Sequence, residues 1–442
     1  MSPVVLKNQT TTEVPEDEPP SKAATWRSSQ EDEPPGKCAV AQRKSFAQVS
    51  SEDWTNWRWQ FKNRITTVDE LAQYLPLSFE EQIQLRMVTL HYPLAITPYY
   101  LSLINPDDTE DPIRKQAVPS ILEVSMAGMG MEDPLEEKRD SVVPGLVHRY
   151  PDRVLMVLTD ICPMLCRHCT RKREWKNGNW TRSPEEIEAM LTYIRRHKSV
   201  RDVIISGGDP LTLSTARLAE VISALRKINH VEIIRIGSRY PVVLPFRIDN
   251  ELCDMLSEYG PIWLNTHFNN PREVTPESAK ACDRLLRAGV PVNNQSVLLR
   301  GVNDTVEIQK KLVHNLLKIK VRPYYLFQCD EVLGTEHLRT PVETGIKIID
   351  GLRGHTSGLA IPTYVIDLPF GGGKVPIQPN YILAQDGGEF LFRNYKHNIF
   401  RFRNPNSQTV AASIKDNGHQ IIETTIPQYE LEGNRDADRV VV

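Results

Sequence analysis

The stretch Val154-Leu-Met-Val-Leu-Thr-Asp-Ile-Cys162-Pro-Met-Leu-Cys166-Arg-His-Cys169 joins an apolar run to three cysteines set four and three residues apart. The run 154–159 reads as a buried strand, so the thiols sit on the loop that leaves its C-terminal end. Three thiolates on one short loop can hold three corners of a [4Fe–4S] cube and leave the fourth iron open for a small ligand, because soft, anionic sulfur suits iron. A zinc knuckle pairs two short Cys/His hairpins to reach four ligands. Here His168 lies inside the triplet, and no second Cys/His pair follows at a usable distance. The other cysteines, Cys38, Cys253, Cys282 and Cys329, are scattered. An odd total favours free thiols or cofactor ligands over a disulfide framework.

Outward from that stretch the chain alternates. Apolar strand patterns at 154–159, 202–206, 231–236, 262–268, 292–298, 323–327 and 363–367 are separated by helical patterns at 184–197, 216–228, 276–288, 305–319 and 342–353. Such alternation means a parallel sheet with helices outside, and six or seven units make a full or partial barrel whose chemistry sits at the C-terminal strand ends. The polar motifs fall at those ends. They are the cysteine loop, Gly207-Gly208-Asp209, Asn265-Thr-His-Phe268, Gln295 within the fifth strand, Asp330 after the sixth, and Asp367 with Lys374 at the last.

The expected organisation is a disordered tail over 1–45, a helical region over 46–140, the barrel over 141–384 and an extension over 385–442. The tail repeats Glu-Asp-Glu-Pro-Pro at 16–20 and 31–35 and carries few apolar residues, too few to offset its ordering entropy. Aromatics at Trp54, Trp57 and Phe61 recur at helical spacing and suit a packed collar better than a recognition surface. Within the extension, 390–392 and 398–402 read as a closing hairpin or a contact between subunits. A net charge of −3 offers no nucleic-acid footprint. No apolar run approaches a membrane span, and the first residues lack a signal-peptide core. A cytoplasmic, reducing setting is expected, with no nucleic acid and no membrane as partners.

Ser206-Gly207-Gly208-Asp209-Pro210 puts two glycines at a strand end, where backbone can approach a ligand closely; an ordinary strand-to-helix turn is the plainer reading. Beside a cluster with an open iron, that ligand would be S-adenosylmethionine. Phe370-Gly-Gly-Gly-Lys374-Val375 fails the phosphate-loop pattern, since Leu368 and Val375 replace the required Gly and Ser/Thr. A lysine on a glycine arm can instead form an imine with an aldehyde cofactor such as pyridoxal phosphate. A solvated surface lysine fits the pattern alone equally well.

In order along the chain, Cys-x3-Cys-Arg-His-Cys-Thr-Arg, Ser-Gly-Gly-Asp-Pro-Leu, Asn-Thr-His-Phe-Asn, Asn-Gln-Ser-Val-Leu-Leu-Arg-Gly-Val-Asn-Asp, Arg-Pro-Tyr-Tyr and Gly-Gly-Gly-Lys resemble the lysine 2,3-aminomutase family. Its members are radical S-adenosylmethionine, pyridoxal-phosphate-dependent isomerases, and the likeness covers about Leu94 to Ala384. The resemblance implies a partial (βα)6-type radical SAM barrel in a homo-oligomer, served by a reductant protein. It makes Cys162, Cys166 and Cys169 the cluster ligands and Lys374 the pyridoxal lysine. It puts Arg149, Tyr150 and Gln295 around the cofactor phosphate, and Arg171 on the substrate carboxylate, where its planar fork suits a bidentate contact.

Asp330 and Asp367 fall where lysine-acting members receive the distal ammonium. Two carboxylates satisfy one cation, whereas glutamate would meet repulsion; glutamate-acting relatives carry Lys and Asn there. The implied reaction moves the α-amino group of a cationic L-amino acid to the β-carbon, with lysine favoured and β-lysine as product. Two departures, Leu368 and Phe370, bring arginine into play, since Phe370 can stack on a guanidinium. Thr305 stands where some members have a zinc-binding Cys, and no cysteine follows Cys329, so no structural zinc is expected. Modification of a protein lysine fits an internal residue poorly, because Arg171 asks for a free carboxylate. An iron–sulfur electron carrier leaves Lys374, Asp330 and Asp367 without roles.

Overall fold

The computed structural model describes residues 46–126, 128–176, 178–386 and 388–405; the tail 1–45 and residues 406–442 of the extension lie outside them. Ten strands pair in chain order. β1 (Ser141–Val143), β2 (Leu146–Tyr150) and β3 (Arg153–Val157) form an antiparallel ribbon. Parallel to β3 run β4 (Asp202–Ser206), β5 (Ile233–Gly237), β6 (Ile262–Thr266), β7 (Val292–Leu298), β8 (Arg322–Gln328) and β9 (Thr363–Leu368). β10 (Gly373–Pro376) returns antiparallel on β9.

Six crossover helices join the seven parallel strands: α1 (Pro184–Arg196), α2 (Thr215–Arg226), α3 (Asn250–Glu258), α4 (Pro276–Arg287), α5 (Val306–Lys318) and α6 (Val342–Leu352). Their starts are written in the sequence. Ser183, Ser214, Asp249, Thr275 and Thr305 each accept an orphan N–H of the first helical turn through the side chain, which satisfies donors that have no partner inside the helix. α3, short and preceded by the proline-broken segment 241–245, has no counterpart among the sequence expectations.

Period-two alternation decides which side chains face where. Val154, Met156, Val203, Ile205, Ile234 and Ile236 are buried in the main hydrophobic core, while their neighbours Leu155, Ile204 and Arg235 line an internal cavity. The barrel interior is therefore a site, and the core lies between sheet and helices. The collar residue Trp54 is buried, and Trp57 and Phe61 pack against the same core.

Beyond β10, β11 (Ile382–Asp386), β12 (Glu389–Arg393) and β13 (Ile399–Arg403) form a separate antiparallel sheet. Of the two readings for 390–392 and 398–402, it contains the hairpin, with Phe390 opposite Phe402 and Phe392 opposite Phe400.

Candidate active site

A cavity of about 750 Å³ opens on the inner face of the sheet, and Cys162, Cys166 and Cys169 line it together with Lys374, Asp330 and Asp367. Arg149, Tyr150, Arg171, Gln295, Gly208 and Asp209 share the same wall. Gly207 stands just outside it, with its carbonyl accepting from Arg171 Nη1 at 3.1 Å. Residues spread over more than two hundred positions thus meet in one chamber, as expected for C-terminal strand ends.

The cysteine loop is held from several sides. Arg64 Nη1 donates to the Cys162 carbonyl at 2.5 Å. Arg167, fully buried, forms a two-pronged pair with Glu123 at 2.9 and 2.5 Å and also donates to the Pro93 carbonyl at 2.8 Å. Lys172 Nζ reaches the same Glu123 at 2.8 Å and the Gly334 carbonyl at 2.7 Å. Burial opposes charge on Glu123, but the two cations outweigh it and hold the carboxyl below its usual range. Burial also pulls Lys172 down to about 8, partly offset by Glu123.

The donor set fits a cluster. Burial pushes the Cys169 thiol up to about 11, with Cys166 adding to the rise and Arg171 and Lys172 opposing it, and burial with Asp209 pushes Cys162 well above its usual value against Arg64; such thiols become thiolates when a cation sits beside them. Among the described residues no three His, Cys, Asp or Glu groups close on a point for a single metal ion. A four-iron cube, which takes each thiolate at a separate corner, does not require that.

Gly207 and Gly208 make room for the chain itself. Gly207 has φ +149°, and a Cβ there would meet the Thr159 carbonyl, while one on Gly208 would meet the Asp160 carbonyl. The close approach is made by the chain itself: the turn after β4 packs backbone to backbone on the root of the cysteine loop, with Gly208 N donating to Thr159 O. Asp209 is buried, its oxygens accepting from the backbone N–H of Leu211 at 3.1 Å and Arg239 at 2.7 Å. Burial raises it to about 7.

Lys374 Nζ lies 2.7 Å from Asp367 Oδ2 and 5.5 Å from the centre of the Phe327 ring. The other Asp367 oxygen, Oδ1, is buried with no hydrogen-bond partner among the described residues. Burial, and then Asp367, raise Asp330 to about 7, with Lys374 and Arg339 pulling the other way. The backbone N–H of Lys374 donates to Tyr150 Oη at 3.0 Å.

Both expected anion-binding arginines are in the cavity wall and already engaged. Arg171 grips Glu137 through Nε and Nη2 at 2.9 and 2.6 Å. Burial of Glu137 is outweighed by Arg171 and Arg173, which hold it at about 2. Arg149 pairs with Asp140 at 2.7 Å and donates to the Leu135 carbonyl. Phe370, at 63 % exposure, and Leu368 do not line the cavity, so neither adds bulk beside the carboxylates.

Among the wall residues given no role from the sequence are Glu137, His168, His267 and Arg239. Burial first, then Arg239, lowers His267 to about 4 and His168 well below its usual value, so both rings are neutral near pH 7. His168 and His267 lie within quoted motifs, which was the one available signal; Glu137 and Arg239 carried none.

Comparison with known proteins gives the family of the chain. Residues 156–310 match the model of the radical SAM superfamily, and 349–435 match that of lysine-2,3-aminomutase. The L-lysine 2,3-aminomutase of Clostridium subterminale is 55% identical over 364 residues, 82% of this chain and 88% of that one. This chain belongs to the lysine 2,3-aminomutase family. Among other family members, the L-lysine 2,3-aminomutase of Bacillus subtilis is 48% identical, over 81% of this chain and 76% of its own. The glutamate 2,3-aminomutase of Clostridioides difficile is 40% identical, over 84% and 88%. As a family member the chain is a radical SAM isomerase of the lysine/glutamate 2,3-aminomutase type, and the radical SAM family implies a [4Fe–4S] cluster and S-adenosylmethionine. No helix among the described residues is long and apolar enough to cross a membrane.

Proposed function

We propose that this enzyme moves the α-amino group of L-lysine to the β-carbon, making β-lysine, with pyridoxal phosphate as the further cofactor. The observation that carries the choice of substrate is the carboxylate pair Asp330 and Asp367, with Asp367 Oδ1 buried and lacking a donor among the described residues. A buried polar atom left unpaired costs about 1–3 kcal/mol, and an incoming ammonium supplies both the missing N–H and the countercharge. A side-chain carboxylate would add a third negative charge at the same place.

A bound cluster with S-adenosylmethionine supplies a radical that takes hydrogen from the β-carbon, and bound pyridoxal phosphate supplies an aldehyde that carries the migrating nitrogen. The chain's own residues do the rest. Cys162, Cys166 and Cys169 hold the cluster, and Lys374 holds the aldehyde through Nζ. Arg149, Tyr150 and Gln295 stand at the phosphate end, and Gly207, Gly208 and Asp209 shape the turn on the S-adenosylmethionine side. Arg171, steadied by Glu137 and by the Gly207 carbonyl, stands in the cavity wall at the substrate carboxylate end. Asp330 and Asp367 fix the far end, so the β-carbon is held in one place relative to the radical source. A reductant protein delivers the electron. Ile399 and Phe402, at 63 % and 56 % exposure on β13, support assembly with further copies of the chain.

Arginine is the second reading, because five N–H donors also suit two carboxylates. It loses support from Phe370, whose ring lies outside the cavity lining. The test is anaerobically reconstituted enzyme offered lysine, arginine and glutamate separately, with β-isomers counted. Lysine is expected to lead arginine by about tenfold or more in kcat/KM, a difference of about 1.4 kcal/mol. Glutamate turned over as well as lysine would defeat the carboxylate argument. Visible absorbance of bound pyridoxal phosphate, lost in Lys374→Ala, tests the cofactor assignment.

A further inference from the structure

Arg239 follows β5 and is buried at 7 % exposure. Its guanidinium is held by distant parts of the chain. Nε donates to the His267 carbonyl at 3.1 Å. Nη2 donates to Gln116 Oε1 at 2.5 Å and Glu273 Oε1 at 2.8 Å. Its backbone N–H is taken by Asp209. These contacts leave Nη1, which points at Cys166 Sγ from 2.8 Å.

The anion beneath it is committed as well. Glu273 Oε1 also accepts from Tyr100 Oη at 2.6 Å, and its Oε2 accepts from the N–H groups of Asn269 and Asn270 at 2.5 and 2.8 Å. Glu273 is fully buried. The guanidinium therefore has one orientation, fixed by Gln116 from the N-terminal region and by His267 and Glu273 from the segment after β6, while Asp209 on the turn after β4 holds the backbone of the same residue. A buried cation held by so many groups, with one N–H aimed at a sulfur, exceeds what packing of the loop requires.

We propose that Arg239 is a positioning residue that raises the reduction potential of the cluster through a charge-assisted hydrogen bond to the Cys166 sulfur. The inference rests on the reading of Cys166 as a cluster ligand. A one-electron reduction adds negative charge that spreads onto the thiolate sulfurs, and no bond is made or broken. Hydrogen bonds to those sulfurs are among the levers that set cluster potentials. A fixed cationic donor in a buried site favours the reduced form more than the oxidised one. The electron itself comes from a low-potential external donor.

The experiment is a redox titration of the reconstituted full-length protein without S-adenosylmethionine, followed by the electron paramagnetic resonance of the reduced cluster. At the potential where half of the wild-type clusters are reduced, Arg239→Met is expected to show at least a tenfold lower ratio of reduced to oxidised cluster. That corresponds to a midpoint about 59 mV lower for a one-electron couple. Arg239→Lys, which keeps the cation and loses the fork, is expected to fall between. An unchanged midpoint in Arg239→Met with full iron content overturns the proposal. If Arg239→Met takes up no cluster, Arg239→Lys is measured in its place, and an unchanged midpoint or an empty protein there overturns it too. A wild-type chain that itself took up no cluster would sink the functional reading as well, whereas the other outcomes bear on Arg239 alone.

Discussion

Lys374 and Asp367 are directly opposite each other in the antiparallel pairing of β10 on β9, and their charged ends meet at 2.7 Å. Strand register alone brings them together, because side chains directly opposite lie on the same face. The amine that would hold the aldehyde and the acid that would hold the substrate's far end are thus one rung of one ladder.

Replacing Asp367 by Asn keeps the shape and removes the charge. Losing one partner of a buried charge pair costs about 2–5 kcal/mol, so kcat/KM for lysine should fall by about thirtyfold or more. Glutamate should not gain correspondingly, since Asp330 remains. Steady-state rates with both substrates check this, and an unchanged lysine rate would show that Asp367 is not a binding group.

Asp330 gives the site a pH dependence. Burial and Asp367 raise its pKa from 3.8 to about 7, so the folded protein holds this proton more tightly than the unfolded chain does. Its stabilising contribution is complete below about 3.8 and is lost as pH rises through about 7. Binding of a cation runs the other way, because it needs the carboxylate. The expected profile of kcat/KM for lysine rises with pH through about 7. Asp209 is raised into the same range by burial, but it faces backbone N–H groups. Asp330→Asn should therefore flatten the rising limb, and a limb that survived would assign it elsewhere.

Glu123 neutralises two buried cations, Arg167 and Lys172, on either side of Cys169. Glu123→Ala leaves both with carbonyl acceptors but without an anionic partner, which costs about 3–5 kcal/mol. Urea unfolding should show that loss, together with reduced iron content after reconstitution.

Gly208→Ala puts a methyl group against the backbone of Asp160. Overpacking of this kind costs about 1–3 kcal/mol, and the atoms in the way are backbone rather than a flexible side-chain end. Cluster content is expected to drop while the far side of the barrel, read by hydrogen exchange of β7 and β8, stays protected.

The parallel strands were legible because each is a short apolar run bounded by polar turns. Asp202–Ser206 and Val292–Leu298 were expected at the bounds they have. β1, β2 and β10 were not, since three to five partly exposed residues carry no period to read. Cysteine and glycine motifs announced themselves because few other residues do their chemistry, and the two glycines also admit the backbone of Thr159 and Asp160. The electrostatic frame was hidden by distance along the chain. Arg239 and Cys166 are 73 positions apart and Arg171 and Glu137 are 34 apart; a charge shows its partner only once the fold is drawn.

The cysteine loop takes its supports from upstream of the barrel. Arg64 holds its first carbonyl, Ala95 and Gln116 accept the N–H groups of Leu165 and Arg167, and Glu123 clamps its buried cations. Iron has no finished seat until the segment from 64 to 123 has docked, so a chain trimmed back to its first parallel strand would keep its architecture on paper and lose its mooring for metal.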